Sequence, residues 1–146
     1  MTIPGRITFA TLGARDVAKL QAFYESLGWP VHYANGDVAM FMLDGANLAI
    51  YSLESLARDA NATELPPQRT FKGTNLAINV AQHDEVDEVI NEARAAGATI
   101  LAEPETMDWG GRSAQFADPE SNAWEVAWVP GSSFDEHGAL VWPDGD

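Results

Sequence analysis

A single carboxylate lies in the middle of an otherwise apolar segment near the carboxyl end of the chain. The segment is AWEVAW, residues 123–128, and its acid is Glu125. Burying an unpaired carboxylate is strongly unfavourable, so Glu125 must reach water, hold a proton, find a partner or bind a ligand. Side chains alternate along a strand, which places the two tryptophans and Val126 on one face and Glu125 on the other. We expect the tryptophan face to pack against helices and Glu125 to face a cavity.

A second group of candidate residues precedes this strand, in the sequence DWGGR, residues 108–112. The two consecutive glycines allow positive φ or a close approach of the backbone. Trp109 can close over a flat ligand, or it packs on its own part of the chain, as most tryptophans do. Arg112 can clamp an anion or neutralise Glu125. The alternative for Glu125 is a structural acid held by Arg112, a water or a backbone amide.

The composition excludes several classes of partner. The chain has 146 residues and a formal net charge of −14, so nucleic acid and anionic membrane surfaces are poor partners for this acidic protein. No apolar run approaches the roughly 20 residues that span a bilayer. The chain has no cysteine, and its first residues lack the pattern of a signal peptide. A cytoplasmic location is therefore expected.

The elements that must position these residues occur twice. In the first half, ITFATL indicates a strand, and a helix follows whose apolar residues, including Phe23 and Tyr24, recur at helical spacing and predict a helix-to-sheet core. Three short strands come next: WPVHYA, DVAMFML and NLAIYSL. The second half repeats the order with NLAINV, a helix, ATILAEP, SAQFA and AWEVAW. Gly28 and Gly97, which end the two helices, are 69 residues apart. After the hairpins, equivalent residues of the two halves are 75 residues apart.

This repeat predicts an α+β fold of two β-α-β-β-β modules in a single domain spanning residues 1–146. The modules are expected at about residues 5–56 and 73–130. A polar, Pro-rich linker is predicted at 57–72, and a C-terminal tail follows at 131–146.

The residues that carry the repeat resemble the vicinal-oxygen-chelate superfamily, the fold of glyoxalase I, bleomycin-resistance proteins and extradiol dioxygenases. The similar stretches are RDVAKLQAFYESLGW, EVINEARAAGATI and WGGRSAQFADPESNAWEVAW, with Ser121 where the family usually has glycine. The resemblance covers about residues 5–130. It implies a curved mixed sheet around a central cup, with helices on the outside, and it implies a homodimer.

The family's metal ligands come from the first and last strands of each module. Counting from the helix motif places the first-strand positions at Phe9 and Ile78 and the last-strand positions at Ile50 and Glu125. Three of the four cannot donate to a metal. His83 and His137 map to no ligand position, whereas His32 lies on a predicted strand and could reach the cavity. A one-residue slip would be no better for a metal, because it gives Thr8, Tyr51, Ala77 and Trp124. The resemblance therefore implies neither a metal nor another cofactor.

The predicted function is metal-free binding of a small hydrophobic or cationic molecule in the cup. The expected ligand-binding residues are Glu125, Phe9, Ile50, Ile78, Asn75, Trp109 and Arg112. The alternative is an enzyme of the same superfamily, a lyase, isomerase or dioxygenase, that uses Glu125 as a base or holds a metal at an unrecognised site. A third reading is a subunit whose cup is vestigial and whose role is association. The catalytic residues and the substrate stay open.

Overall fold

The computed structural model describes residues 2–144, and it confirms the two β-α-β-β-β modules. Module 1 contains β1 (Phe9–Ala14), α1 (Val17–Ser26), β2 (Tyr33–Ala34), β3 (Val38–Phe41) and β4 (Asn47–Ser52). Module 2 contains β5 (Asn75–Asn79), α3 (Glu85–Ala95), β6 (Thr99–Thr106), β7 (Arg112–Ala117) and β8 (Ala123–Trp128). A short helix, α2 (Leu53–Asp59), joins the modules, and a small hairpin of β9 (Ser133–Phe134) and β10 (Leu140–Val141) forms the tail. None of the helices within residues 2–144 is long and apolar enough to cross a membrane.

Helix α2 was not indicated by the sequence, which predicted a polar linker from residue 57. The side chain of Ser52 accepts a hydrogen bond from the backbone N–H of Ser55 and caps this helix. Leu53 and Leu56 pack so closely against the backbone of Gly13 that a side chain at position 13 would meet both leucines. A helix of seven residues is too short to show a clear periodic pattern.

Each module forms one curved, four-stranded mixed sheet. The strand orders are β1-β4-β3-β2 and β5-β8-β7-β6, so β1 and β5 are edge strands. In each module the first and last strands pair in parallel, and the other neighbours are antiparallel. We call the side of each sheet that packs against the hydrophobic core and α1 or α3 the helix face, and the opposite side the open face.

The helix faces of both sheets share one hydrophobic core. Its most buried side chains are Leu20, Tyr24, Phe41, Leu48, Ile50, Val86, Ile90, Phe116 and Val126. Phe23 and Tyr24 belong to it, as their helical spacing predicts. Trp124 is also buried in this core, so the tryptophan face of β8 packs toward the helices as expected.

A buried polar network joins the two modules inside this core. The Tyr24 hydroxyl of α1 donates to a carboxylate oxygen of Asp118 and accepts from the indole N–H of Trp124 at 2.9 Å. Asp118 is 4% exposed and also accepts from the Asn122 side-chain amide and from the backbone N–H groups of Glu120 and Asn122. Four donors therefore stabilise one buried carboxylate. Burial, followed by the charge of Asp118, raises the pKa of Tyr24 well above its ordinary value.

Candidate functional site

Three polar side chains form a hydrogen-bonded chain across the open face of module 2. Gln115 of β7 pairs in register with Glu125 of β8, and its amide donates to the Glu125 carboxylate at 3.3 Å. Asn75 of β5 donates to the Gln115 carbonyl oxygen at 3.0 Å. Glu125 is half-buried, and none of the ion pairs within residues 2–144 involves it. The carboxylate predicted to face a cavity therefore lies on the open face with one amide partner.

Small side chains surround this polar chain. Ala77 pairs with Glu125 in the β5–β8 register, and Ala123 and Ala127 occupy the same face of β8. Because alanine side chains are short, the carboxylate and the two amides project beyond the surface around them. The arrangement presents one anionic acceptor and two amide groups among small side chains.

Trp109 lies at the edge of the same face. Its ring covers Gly111, where any side chain would collide with the ring and would come within 2.5 Å of the Trp128 carbonyl oxygen. Strand alternation puts Gly111 on the face that carries Gln115. The indole is still 55% exposed. Trp109 thus packs on its own module and also leaves a large aromatic surface beside the open face.

Ile50 and Ile78 do not face the cup, and their predicted placement beside Glu125 is wrong. Ile50 is 0% exposed in the core. Ile78 pairs in register with Val126 and packs against the same core. Phe9 does lie on the open face, since the alternate residue Ala10 packs against the core, but it belongs to module 1.

The error comes from the offsets between modules. Phe9 and Asn75 occupy equivalent positions in the first strands of the two modules and are 66 residues apart. Their partners in the last strands, Asn47 and Ala123, are 76 residues apart. The sequence-based offsets were 69 and 75. The connection between first strand and helix has two residues in module 1 and five in module 2. Both errors are odd numbers, and an odd shift moves a strand residue to the opposite face.

Arg112 also lies away from Glu125. Its guanidinium donates to both carboxylate oxygens of Asp87 on α3, at 2.7 and 2.8 Å. This bidentate bond lowers the pKa of the Asp87 carboxyl below its usual range and raises the pKa of Arg112. Arg112 therefore attaches α3 to its sheet and does not neutralise Glu125.

Gln115 is the site residue that sequence reasoning missed. It lies in the strand SAQFA, where the alternate residues Ala114 and Phe116 are buried. That alternation placed Gln115 on the face opposite the core, which is the face of Glu125. The antiparallel register with β8, which sets the two side chains directly opposite one another, was not available from the sequence.

The residues present do not fit a metal. Corrected for register, the four strand positions that the resemblance implies are Phe9, Ala49, Asn75 and Glu125. Only Asn75 and Glu125 carry oxygen donors, and divalent ions of this kind need a larger donor set. Within residues 2–144, no group of three or more His, Asp or Glu side chains lies close enough to hold a metal ion.

The chain matches one protein family by sequence and several solved structures by fold. The sequence profile of the Glyoxalase/Bleomycin resistance protein/Dioxygenase superfamily matches residues 6–126. No curated protein sequence matches the chain. The crystal structure of a glyoxalase-related enzyme from Fulvimarina pelagi has a TM-score of 0.85 at 25% identity, covering 97% of this chain and 100% of that one.

Two further solved structures show the same fold at lower identity. A glyoxalase/bleomycin resistance protein/dioxygenase family enzyme from Burkholderia phytofirmans has a TM-score of 0.73 at 22% identity, covering 86% of this chain and 99% of that one. A lactoylglutathione lyase from Agrobacterium tumefaciens has a TM-score of 0.67 at 22% identity, covering 86% of this chain and 95% of that one. At these identities the likeness concerns the fold alone.

Proposed function

Because the chain belongs to the Glyoxalase/Bleomycin resistance protein/Dioxygenase superfamily, we propose that it binds a small molecule on the open face of module 2 without a metal. The observation that carries this proposal is the chain of hydrogen bonds from Asn75 through Gln115 to Glu125. A carboxylate fixed by a neighbouring amide is a directional acceptor, and ligand sites typically combine apolar surface with a few such polar groups.

The charge of the site selects the ligand. Glu125 has no cationic partner among residues 2–144, so a ligand with a cationic hydrogen-bond donor would supply the missing counter-charge. The exposed indole of Trp109 offers a surface for an aromatic or cationic group. Ala77, which pairs with Glu125 in the β5–β8 register, is exposed, so a ligand can approach the carboxylate from that side. These features favour a flat, positively charged molecule.

Binding is supported better than catalysis. General acid-base chemistry at Glu125 would need a second group able to exchange a proton. The side chains bonded in this site are amides, which do not titrate near neutral pH. Arg112 is bonded to Asp87, and His32 lies exposed at the start of β2 in module 1. The geometry thus provides an acceptor without a proton-transfer partner.

A homodimer is part of the same proposal. The family resemblance implies pairing of modules between chains, and the edge strands β1 and β5 leave Thr11 and Ala77 exposed on their open faces. A second copy that covers these faces would enclose the site. Sedimentation analysis is expected to give a species of twice the chain mass. A monomer at concentrations where ligand binds would contradict the dimer while leaving the binding site untouched.

The binding proposal is tested with benzamidine, a planar cation. We expect benzamidine to shift the side-chain amide NMR signals of Asn75 and Gln115, and Glu125→Gln to weaken its binding at least about tenfold. The folded protein should keep nearly the same melting temperature, since glutamine can still accept from Gln115. Glu92→Gln, which removes an exposed carboxylate on α3, is the matched control and should bind like the wild type.

Two results would contradict the proposal. One is benzamidine binding that is unchanged by Glu125→Gln. The other is a stoichiometric transition metal in untagged protein, measured by plasma mass spectrometry, which would favour the metal-dependent enzyme instead.

A further inference from the structure

One cavity lies apart from the proposed ligand site. It has a volume of about 800 Å³ and lies between the two modules. Its walls include Ala10 and Leu48 from the helix face of module 1 and Leu76 and Ile78 from the helix face of module 2. Glu125 points to the opposite face of its sheet. We call this space the intermodule cleft.

The walls of the cleft are largely aromatic and aliphatic. Trp29 and Trp124 both line it, with ring centroids 5.7 Å apart in an edge-to-face arrangement. Leu76 and Ile78 add aliphatic side chains to its lining. The volume falls within the range of cavities that hold drug-sized molecules, and apolar walls are what such ligands bury.

The free edge of β5 adds polar groups to the cleft. The backbone N–H of Val80 donates to Ala127 of β8, and in a parallel pair alternate residues bond the same neighbour. The backbone groups of Ala77 and Asn79 therefore point away from β8, and in residues 2–144 β5 has no strand on that side. Both residues line the cleft.

The charge in the cleft has one sign. Asp44 and Glu85 are the ionisable residues in its lining, which contains no Lys, Arg or His among the described residues. Asp44 is held in place by the tail. The backbone N–H of Gly45 donates to the His137 carbonyl at 3.2 Å, and Gly138 approaches Asp44 so closely that any side chain there would overlap it.

We propose that the intermodule cleft is a second binding site, for an amine carried on an aromatic body. The aromatic part contacts the indoles and the aliphatic side chains of the lining, and the ammonium group pairs with Asp44 or Glu85. The free backbone carbonyl oxygens of β5 accept further N–H donors. This site is separate from Glu125, so it stands or falls independently of the function proposed above.

The test uses 4-phenylbutylamine as the probe and 4-phenylbutanoate as its anionic counterpart. We expect the amine to shift the indole N–H signals of Trp29 and Trp124 in NMR spectra, and the carboxylate to leave them unchanged. The double variant Asp44→Asn/Glu85→Gln should raise the Kd for the amine about tenfold, because two partly exposed charge contacts are lost. Glu88→Gln, an exposed carboxylate one turn further along α3, is the matched control and should have no effect.

Three results would overturn this site. The two probes could bind equally well, the double variant could bind the amine like the wild type, or the indole signals could stay unmoved at millimolar amine. Glu125→Gln separates the two proposals. In this variant, 4-phenylbutylamine should still shift the indole N–H signals. If Glu125→Gln abolishes those shifts, the amine binds on the open face instead.

Discussion

The open face of module 1 carries large apolar side chains, whereas the open face of module 2 carries a row of hydrogen-bonded polar side chains. In module 1, Phe9 and Met40 occupy this face, and α2 packs over Gly13 at its end. In module 2, the equivalent positions hold Asn75 and the Gln115–Glu125 pair. The repeated fold supplies the same surface twice, and substitutions within it give only one copy the groups to recognise a charged ligand.

The helices differ in the same way. When the two helices are aligned on the glycines that end them, Tyr24 of α1 is equivalent to Ala93 of α3. Tyr24 reaches across to the Asp118 turn of module 2, but Ala93 has no polar group to reach back. The connection between modules is therefore asymmetric, and α1 carries the polar part of it. Urea unfolding of matched variants in the two modules tests this asymmetry.

The largest expected effect concerns the glycines that precede the third strand of each module. Gly111→Ala must displace the Trp109 ring and the Trp128 carbonyl, so we expect a loss of about 3 kcal/mol. The module 1 counterpart, Gly36→Ala, meets no atom within 4 Å and is opposed only by its φ of +92°, so about 1 kcal/mol is expected. Equal losses in the two variants would refute the crowding described for module 2.

The second prediction tests the asymmetric connection. Tyr24→Phe removes one donor to buried Asp118 and the acceptor of the Trp124 indole, so we expect a loss of about 2 kcal/mol. Tyr33→Phe is the control, because Tyr33 is 50% exposed and should change stability by less than about 0.5 kcal/mol. A Tyr24→Phe protein as stable as the control would show that the hydroxyl does not join the modules.

The third prediction is a pH dependence of the bond that attaches α3 to the sheet of module 2. The hydrogen bonds from Arg112 lower the pKa of Asp87 in the folded state, so the stabilisation is present above the ordinary carboxyl pKa of 3.8 and is lost as the pH falls below it. Since the Asp87 side chain is 45% exposed, Asp87→Asn should cost only about 0.5 kcal/mol at pH 7. That difference should shrink as the pH falls below 3.8, and a difference independent of pH would exclude this cause.

The fourth prediction concerns equivalent turns before the last strand of each module. Gly45 and Ser121 occupy the same position by the offset of the last strands, and both have positive φ, +83° and +66°. Serine is strained there and glycine is not, so Ser121→Gly should stabilise by about 0.5 kcal/mol and Gly45→Ser should destabilise by about 1 kcal/mol. The comparison fails if both changes shift stability in the same direction.

The periodic pattern predicted the elements well and their faces less well. Phe23 and Tyr24 recur at helical spacing, which is a local property, and both are buried as predicted. Ile50 and Ile78 were assigned to the wrong face, because strand faces repeat every two residues and both assumed offsets between the modules were wrong by an odd number. Helix α2 was missed because seven residues carry too little pattern.

The amino-acid sequence by itself determined the doubled β-α-β-β-β order, the unusual acid at position 125 and the shortage of metal donors, because each depends on residue type and local spacing. Only the tertiary structure decided that Gln115 is the partner of Glu125, that Arg112 binds Asp87, and that the modules enclose a separate cleft. Those contacts join residues distant along the chain, so they depend on strand register and on how the modules pack together, which no local pattern encodes.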